Sequence, residues 1–252
     1  MIIAPYRDDL NKIVILNPKG GCGKTTLATN LASYFALRGP PPALIDNDPK
    51  GYTVRWLEKR PRNSCKIHGI ASDKLSIHGT RTWQLRIPNE SSTVIIDSPA
   101  AVGRHEINEL TYDANCILIP VLPSAFDIRS TSDFIAELLL QTEFDRPIAV
   151  VANRTRQNTK SLAMLVRTLQ GFETPTIAVL RDSQNYERAA SRGLGIYELP
   201  HHRVKQDLEQ MEPIIEWLNQ SLTGALNLGQ DSRFDPLPNI FASPATGASH
   251  LN

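Results

Sequence analysis

The chain has 252 residues, enough for one α/β domain with a sizeable core, and a formal net charge of +1, which excludes polyanion binding by bulk charge and leaves nucleic-acid contact to a local patch. Its three cysteines, Cys22, Cys65 and Cys116, form no CxxC pair, which argues against a disulfide framework and for a reducing, cytoplasmic setting. No stretch approaches the roughly 18 apolar residues of a spanning helix, and the opening MIIAPYRDDLNK carries acids and a proline where a signal peptide needs an apolar run.

Residues 1–11 read as an N-terminal extension and 12–222 as one domain. The first strand is Lys12–Asn17 (KIVILN), followed by a glycine-rich loop and a helix whose apolar stripe is Leu27, Ala28, Leu31, Ala32 and Phe35. Pro40, Pro41 and Pro42 lack the ladder N–H and delay the next strand to Ala43–Asp46. Arg60–Ser92 is polar and irregular and is assigned no element. Further strands follow at Thr93–Asp97, Cys116–Pro120, Ile148–Asn153 and Thr176–Leu180. A helical stripe at Leu162, Leu165, Val166 and Leu169 separates the last two. Another runs through Val204, Leu208, Met211, Ile215, Leu218 and Leu222. Residues 223–252, rich in Gly, Ser, Pro and Asn, read as a flexible tail. Short β-branched runs alternating with helices predict an α/β fold: a mostly parallel twisted sheet with helices on both faces and ligands at the carboxyl ends of its strands.

The segment Pro18-Lys19-Gly20-Gly21-Cys22-Gly23-Lys24-Thr25-Thr26 lies between strand and helix. Glycines let backbone N–H groups turn toward phosphate oxygens, and the helix N-terminus adds partial positive charge. Gly20, Gly21, Cys22, Gly23, Lys24, Thr25 and Thr26 are therefore expected to cradle ATP, with Lys24 on the β- and γ-phosphates and Thr25 on Mg²⁺. The ordinary P-loop places a glycine where this chain has Pro18, and Lys19 adds a second cation.

The string KGGCGKTT resembles the deviant Walker A motif of the ParA/MinD family of P-loop ATPases. The resemblance implies that Lys19 crosses a homodimer interface to the partner's nucleotide, where a cation in trans stabilises the transferring phosphoryl group. It also implies that Asp48, in ALIDNDPKG, orients the attacking water and that Asp46 supports the magnesium shell. Lys50 stands where glutamine is usual. TVIIDSPAAVG resembles the Walker B strand and switch, with Asp97 holding Mg²⁺ and Ser98–Gly103 sensing the γ-phosphate. CILIPVLPSAFD, with Pro120, Pro123 and Asp127, is read equally as subunit interface or turn chemistry. Asn153 matches a position that hydrogen-bonds adenine, and a plain strand-end turn is the other reading. The likeness spans most of residues 12–200 and is strongest to short ParF-like partition ATPases and the ParA-type proteins that position carboxysomes.

Between Val151 and Lys205 nine cations face four acids, a local excess of five. Arg154, Arg156, Lys160, Arg181, Arg188, Arg192, Arg203 and Lys205 are candidate DNA contacts, with a scattered solvated surface as the alternative. The resemblance favours non-specific nucleoid DNA, a nucleoid-associated location and a ParB-like adaptor that stimulates weak ATP hydrolysis. A MinD-like membrane regulator is the rival. The prolines and acids of the tail, and Glu209, Glu212 and Glu216 on the last helix, oppose an interfacial helix and favour no membrane contact.

Overall fold

The computed structural model describes residues 9–71, 87–140, 146–156, 159–169 and 174–224. Seven strands appear among them: β1 (Asn11–Ile15), β2 (Ala43–Asp46), β3 (His68–Ala71), β4 (Thr93–Asp97), β5 (Cys116–Val121), β6 (Ile148–Thr155) and β7 (Thr176–Arg181). They form one sheet in the order β3-β2-β4-β1-β5-β6-β7, and every described pairing is parallel. The helices are α1 (Lys24–Ala36), α2 (Tyr52–Glu58), α3 (Arg104–Thr111), α4 (Ala125–Leu139), α5 (Lys160–Leu169), α6 (Gln184–Ala190) and α7 (His201–Leu222).

The continuous apolar runs follow from burial on both faces. Successive strand residues point to opposite sides. Ile13, Ile15, Leu44, Ile95 and Leu118 pack with Leu27 and Leu31 of α1, Trp56 of α2 and Met211, Ile215 and Leu218 of α7. Val14, Ile45, Ile96, Ile117 and Ile119 pack on the other side with Ile107 of α3, Phe134, Ile135 and Leu138 of α4, and Leu165 and Leu169 of α5. The apolar stripes expected of α1, α5 and α7 therefore face the sheet, and α7 is a core helix.

The second strand begins at Ala43, directly after the three prolines. Their carbonyls serve as acceptors: Pro41 for the Ser91 hydroxyl (2.7 Å) and Pro42 for the His68 N–H (2.9 Å). The segment left unassigned contains β3, which pairs with β2 at the sheet edge. Its sequence, HGIA, is short and only partly buried, so it lacks the apolar run that marks the inner strands. Of the tail, only Thr223 and Gly224 are described. The rest lies outside the described residues.

β1 lies between β4 and β5; the chain leaves it toward β2 on one side, and the connection from β4 to β5 crosses to the other. That reversal opens a crevice at its carboxyl end. The register fixes what surrounds the crevice: Asp97 is level with Ile15 on one side and with Asp46 on the other.

Candidate functional site

The glycine loop fills this crevice. Gly21 (φ +79°) and Gly23 (φ +101°) adopt left-handed conformations that a side chain would strain. Asn17, fully buried, braces the turn. Its Oδ1 accepts from the Lys19 N–H (2.9 Å), and its Nδ2 donates to the Pro120 carbonyl (2.8 Å) and Thr131 Oγ1 (3.1 Å). Lys24 is buried, and its Nζ donates to the carbonyls of Asn17 (2.9 Å) and Lys19 (3.1 Å). Lys19, by contrast, is exposed. Cys22 is buried with Sγ 3.3 Å from the Lys19 carbonyl, and burial raises its thiol pKa. The loop expected to sense the γ-phosphate is latched here, since the Ala101 N–H donates to the Pro18 carbonyl (2.8 Å) with Ala101 itself at φ +56°.

Asp97 is the charged centre of the site. One of its oxygens, Oδ2, accepts from both Thr25 Oγ1 (2.7 Å) and Thr53 Oγ1 (2.7 Å). The other, Oδ1, is buried without a hydrogen-bond partner. Burial pushes the carboxyl pKa up to about 7, against the opposing pull of the two hydroxyls. A buried orphan carboxylate oxygen beside a threonine hydroxyl fits a Mg²⁺ site, because Mg²⁺ takes few protein ligands and completes its shell with phosphates and water.

Asp46 shapes the neighbouring loop. Its Oδ1 accepts from the Asp48 N–H (3.1 Å) and its Oδ2 from the Val54 N–H (3.0 Å). Burial raises its pKa and those amides oppose the rise. With both oxygens engaged it holds α2 and Asp48 in place beside the metal position. Asp48 is half-buried and accepts from the Lys50 N–H (2.9 Å).

Asn153 differs from expectation. Its Nδ2 donates to the Cys22 carbonyl (2.8 Å) and its Oδ1 accepts from the Arg154 N–H (2.9 Å). A Cβ on Gly23 would lie 2.0 Å from Nδ2. The cavity beside it, bordered by Thr26, Asn30, Val151 and Tyr186, has a volume near 10 Å³, which holds a water and no purine. Asn153 thus supports the loop in this structure. At Asp127 the structure shows turn chemistry: its N–H donates to Ser124 Oγ (3.2 Å), the cap of α4, while its Oδ1 is buried and unpartnered. Sequence reasoning missed Asn17 and Thr53, neither of which belongs to the short motif.

The basic residues divide into groups. Arg181 is structural: its Nε and Nη2 bind the fully buried Asp207 (2.6 and 3.1 Å), whose pKa burial would raise but whose bonds from Arg181 and Asn185 bring it below the usual value. Its guanidinium is thus tied to α7. Arg154 and Arg156 share Asp182 (3.3 and 3.4 Å), Lys205 lies 3.9 Å from Glu209, and Lys160 is exposed. Arg188, Arg192 and Arg203 converge on a groove of about 260 Å³ with Asn185, Ser191 and Pro200. Among the described residues the Arg188 guanidinium bonds the neutral Gln184 (3.3 Å), and Arg188, Arg192 and Arg203 form no ion pair.

With this geometry in place, comparison with known proteins is informative. The family profile of the CobQ/CobB/MinD/ParA nucleotide binding domain matches residues 13–196. Over 191 residues the chain is 27% identical to Maintenance of carboxysome distribution protein A from Halothiobacillus neapolitanus, covering 74% of this chain and 87% of that one. It is 24% identical over 237 residues to the septum site-determining protein MinD of Thermotoga maritima, covering 80% and 86%. An ATP complex of McdA from Cyanothece superimposes with a TM-score of 0.64 at 19% identity, covering 89% of this chain and all of that one.

Two predictions arise from these residues. Because the folded Asp97 pKa lies near 7 against an ordinary 3.8, the folded state holds the extra proton between those values. Metal-free stability is therefore full below about pH 4 and is lost as pH rises through about 7, by up to ~4 kcal/mol. Asp97→Asn should flatten that slope and be more stable than the parent at pH 8, read from urea midpoints in EDTA at pH 5 to 8. Parallel profiles for the two would contradict it. Arg181→Ala should destabilise by roughly 3 kcal/mol because it strands a buried carboxylate, whereas Arg192→Ala should stay within about 0.5 kcal/mol.

Proposed function

The chain belongs to the CobQ/CobB/MinD/ParA nucleotide-binding domain family, and from that premise we propose that it is an ATP-driven positioning protein. In this reading two chains associate on Mg–ATP, bind DNA non-specifically and locate a cargo under the control of a ParB-like adaptor. The observation that carries it is the contrast between two lysines in one loop: Lys24 is buried on backbone carbonyls, while Lys19 is exposed.

Lys24 exchanges its bonds to Asn17 and Lys19 for phosphate oxygens, and the inward N–H groups from Gly20 to Thr26 share the remaining charge. Thr25 and Asp97, whose Oδ1 is unpartnered, are the residues that would hold the cation. Mg²⁺ supplies charge neutralisation at the phosphates. Asp48, held by the turn that Asp46 organises, orients the attacking water. Lys19 serves the neighbouring chain's nucleotide, which makes ATP part of the interface. Likeness to the carboxysome-distribution proteins supports a cargo-positioning role, with a plasmid or chromosome as other cargoes of the same chemistry. The groove of Arg188, Arg192 and Arg203 is the DNA-contact surface, as cations without carboxylate partners are free to displace counterions from phosphates. That surface favours a nucleoid-associated cytoplasmic protein over the MinD-like rival. No helix among the described residues is long and apolar enough to cross a membrane.

The test separates three variants. Lys24→Ala should lose nucleotide binding. Lys19→Ala should bind ATP yet lose hydrolysis or ATP-dependent DNA binding, and Asp48→Ala should accumulate the ATP-bound dimer. The losses in turnover should be on the order of 10²-fold or more. ATP turnover and DNA-binding titrations with and without Mg–ATP measure them, and a Lys19→Ala chain equal to the parent in both assays would overturn the trans-lysine role.

A further inference from the structure

One face of α2 touches two distant parts of the molecule. Thr53, Trp56 and Arg60 are spaced by three and four residues, the spacing that aligns side chains along a helix. Thr53 donates to Asp97, at the metal position. Trp56 Nε1 donates to the Leu194 carbonyl (3.2 Å). Arg60, just past the helix end, donates from Nη1 to the Gly193 carbonyl (3.0 Å) and grips both oxygens of Glu198 (2.9 and 2.7 Å). That ion pair is nearly enclosed, with its side chains 7% and 8% exposed. A bidentate pair shielded from water is geometrically stiff.

The segment Gly193–Glu198 is wedged between α2 and α1. Gly193 (φ +66°) has no room for a side chain, since a Cβ there would lie 2.4 Å from the Arg60 backbone nitrogen. A Cβ on Gly195 would lie 2.5 Å from Ser33 Oγ of α1. Asn30 of α1 accepts from the Ile196 N–H (2.7 Å) and donates to the Thr26 carbonyl (2.7 Å), inside the phosphate-binding turn. The wedged segment joins Arg192 on one side to Pro200 and Arg203 on the other, and the groove they line is also tied across by Asn185 Nδ2, which donates to the Arg203 carbonyl (3.0 Å).

We infer that α2 is the relay between the nucleotide site and the arginine groove, with Trp56 and Arg60 as its positioning residues. When Asp97 and the Asp46–Asp48 turn adjust to Mg–ATP, Thr53 and the Asp46 bond to the Val54 N–H carry the shift into α2. Trp56 and Arg60 pass it to Gly193–Glu198. The functional consequence, an ATP-dependent change in DNA affinity, rests on the reading of the groove given above. The mechanical coupling does not.

The test uses the full chain with Trp56→Phe, which keeps an aromatic ring and loses the donor, and Arg60→Lys, which keeps the charge and loses the fork. Amide hydrogen exchange across residues 191–203 is followed with and without Mg–ATP, alongside binding of a fluorescent ATP analogue and of duplex DNA. The parent should show an ATP-induced exchange change of about fivefold or more that both variants lose, while their affinity for the analogue stays within about threefold. The ATP-induced gain in DNA affinity should fall about tenfold in the variants. Variants that keep the parent's exchange response, variants that lose ATP binding itself, or a parent with no response would each overturn the relay. A parent with the exchange response but no affinity for DNA would leave the relay standing and remove the DNA reading.

Discussion

Two threonine hydroxyls on one oxygen of Asp97 hold the site together. One comes from α1 at the end of the phosphate loop and the other from α2 after the Asp46–Asp48 turn, so a single buried carboxylate ties both flanks of the crevice to β4. Burying such a group is costly unless its charge is compensated. Without a cation the cost is met by retaining the proton, which is why its pKa stands near 7. A divalent cation held by Asp97 and Thr25 would supply that compensation instead. The arrangement makes the protein responsive to its ligand at the point where the elements meet.

The phosphate loop shows the same economy. Lys24 is buried with its charge on two carbonyls of the loop. Asn17 and Asn153 hold that loop from opposite ends, and the close approach of Asn153 to Gly23 explains why that position admits no side chain. The backbone is therefore organised before phosphate arrives, and preorganised donors are what electrostatic stabilisation requires.

The inner strands were legible in the sequence because both of their faces are buried, which writes an unbroken apolar run. The edge strand β3 has one partner and a half-exposed HGIA sequence, so it leaves no such trace. The glycine loop was legible because strand, glycines and helix start follow one another at fixed spacing. Thr53 was not, since a lone threonine acquires its role only where α2 meets β4. Arg181 looked like its basic neighbours until α7 brought Asp207 against it, a contact 26 residues away in sequence. The role of Asn153 likewise depends on how closely the loop approaches β6, which a strand-end asparagine does not reveal.

A relay through α2 and a trans-acting Lys19 give one account of how ATP is read: at Asp97 within a chain, and at Lys19 between chains. The second depends on Mg–ATP bringing two chains together. Sedimentation of the full chain with Mg–ATP, with Mg–ADP, and with ATP plus EDTA tests that directly. The account predicts a dimer only with Mg–ATP and a monomer in the other two. A monomer in all three, or a dimer indifferent to nucleotide and metal, would contradict it.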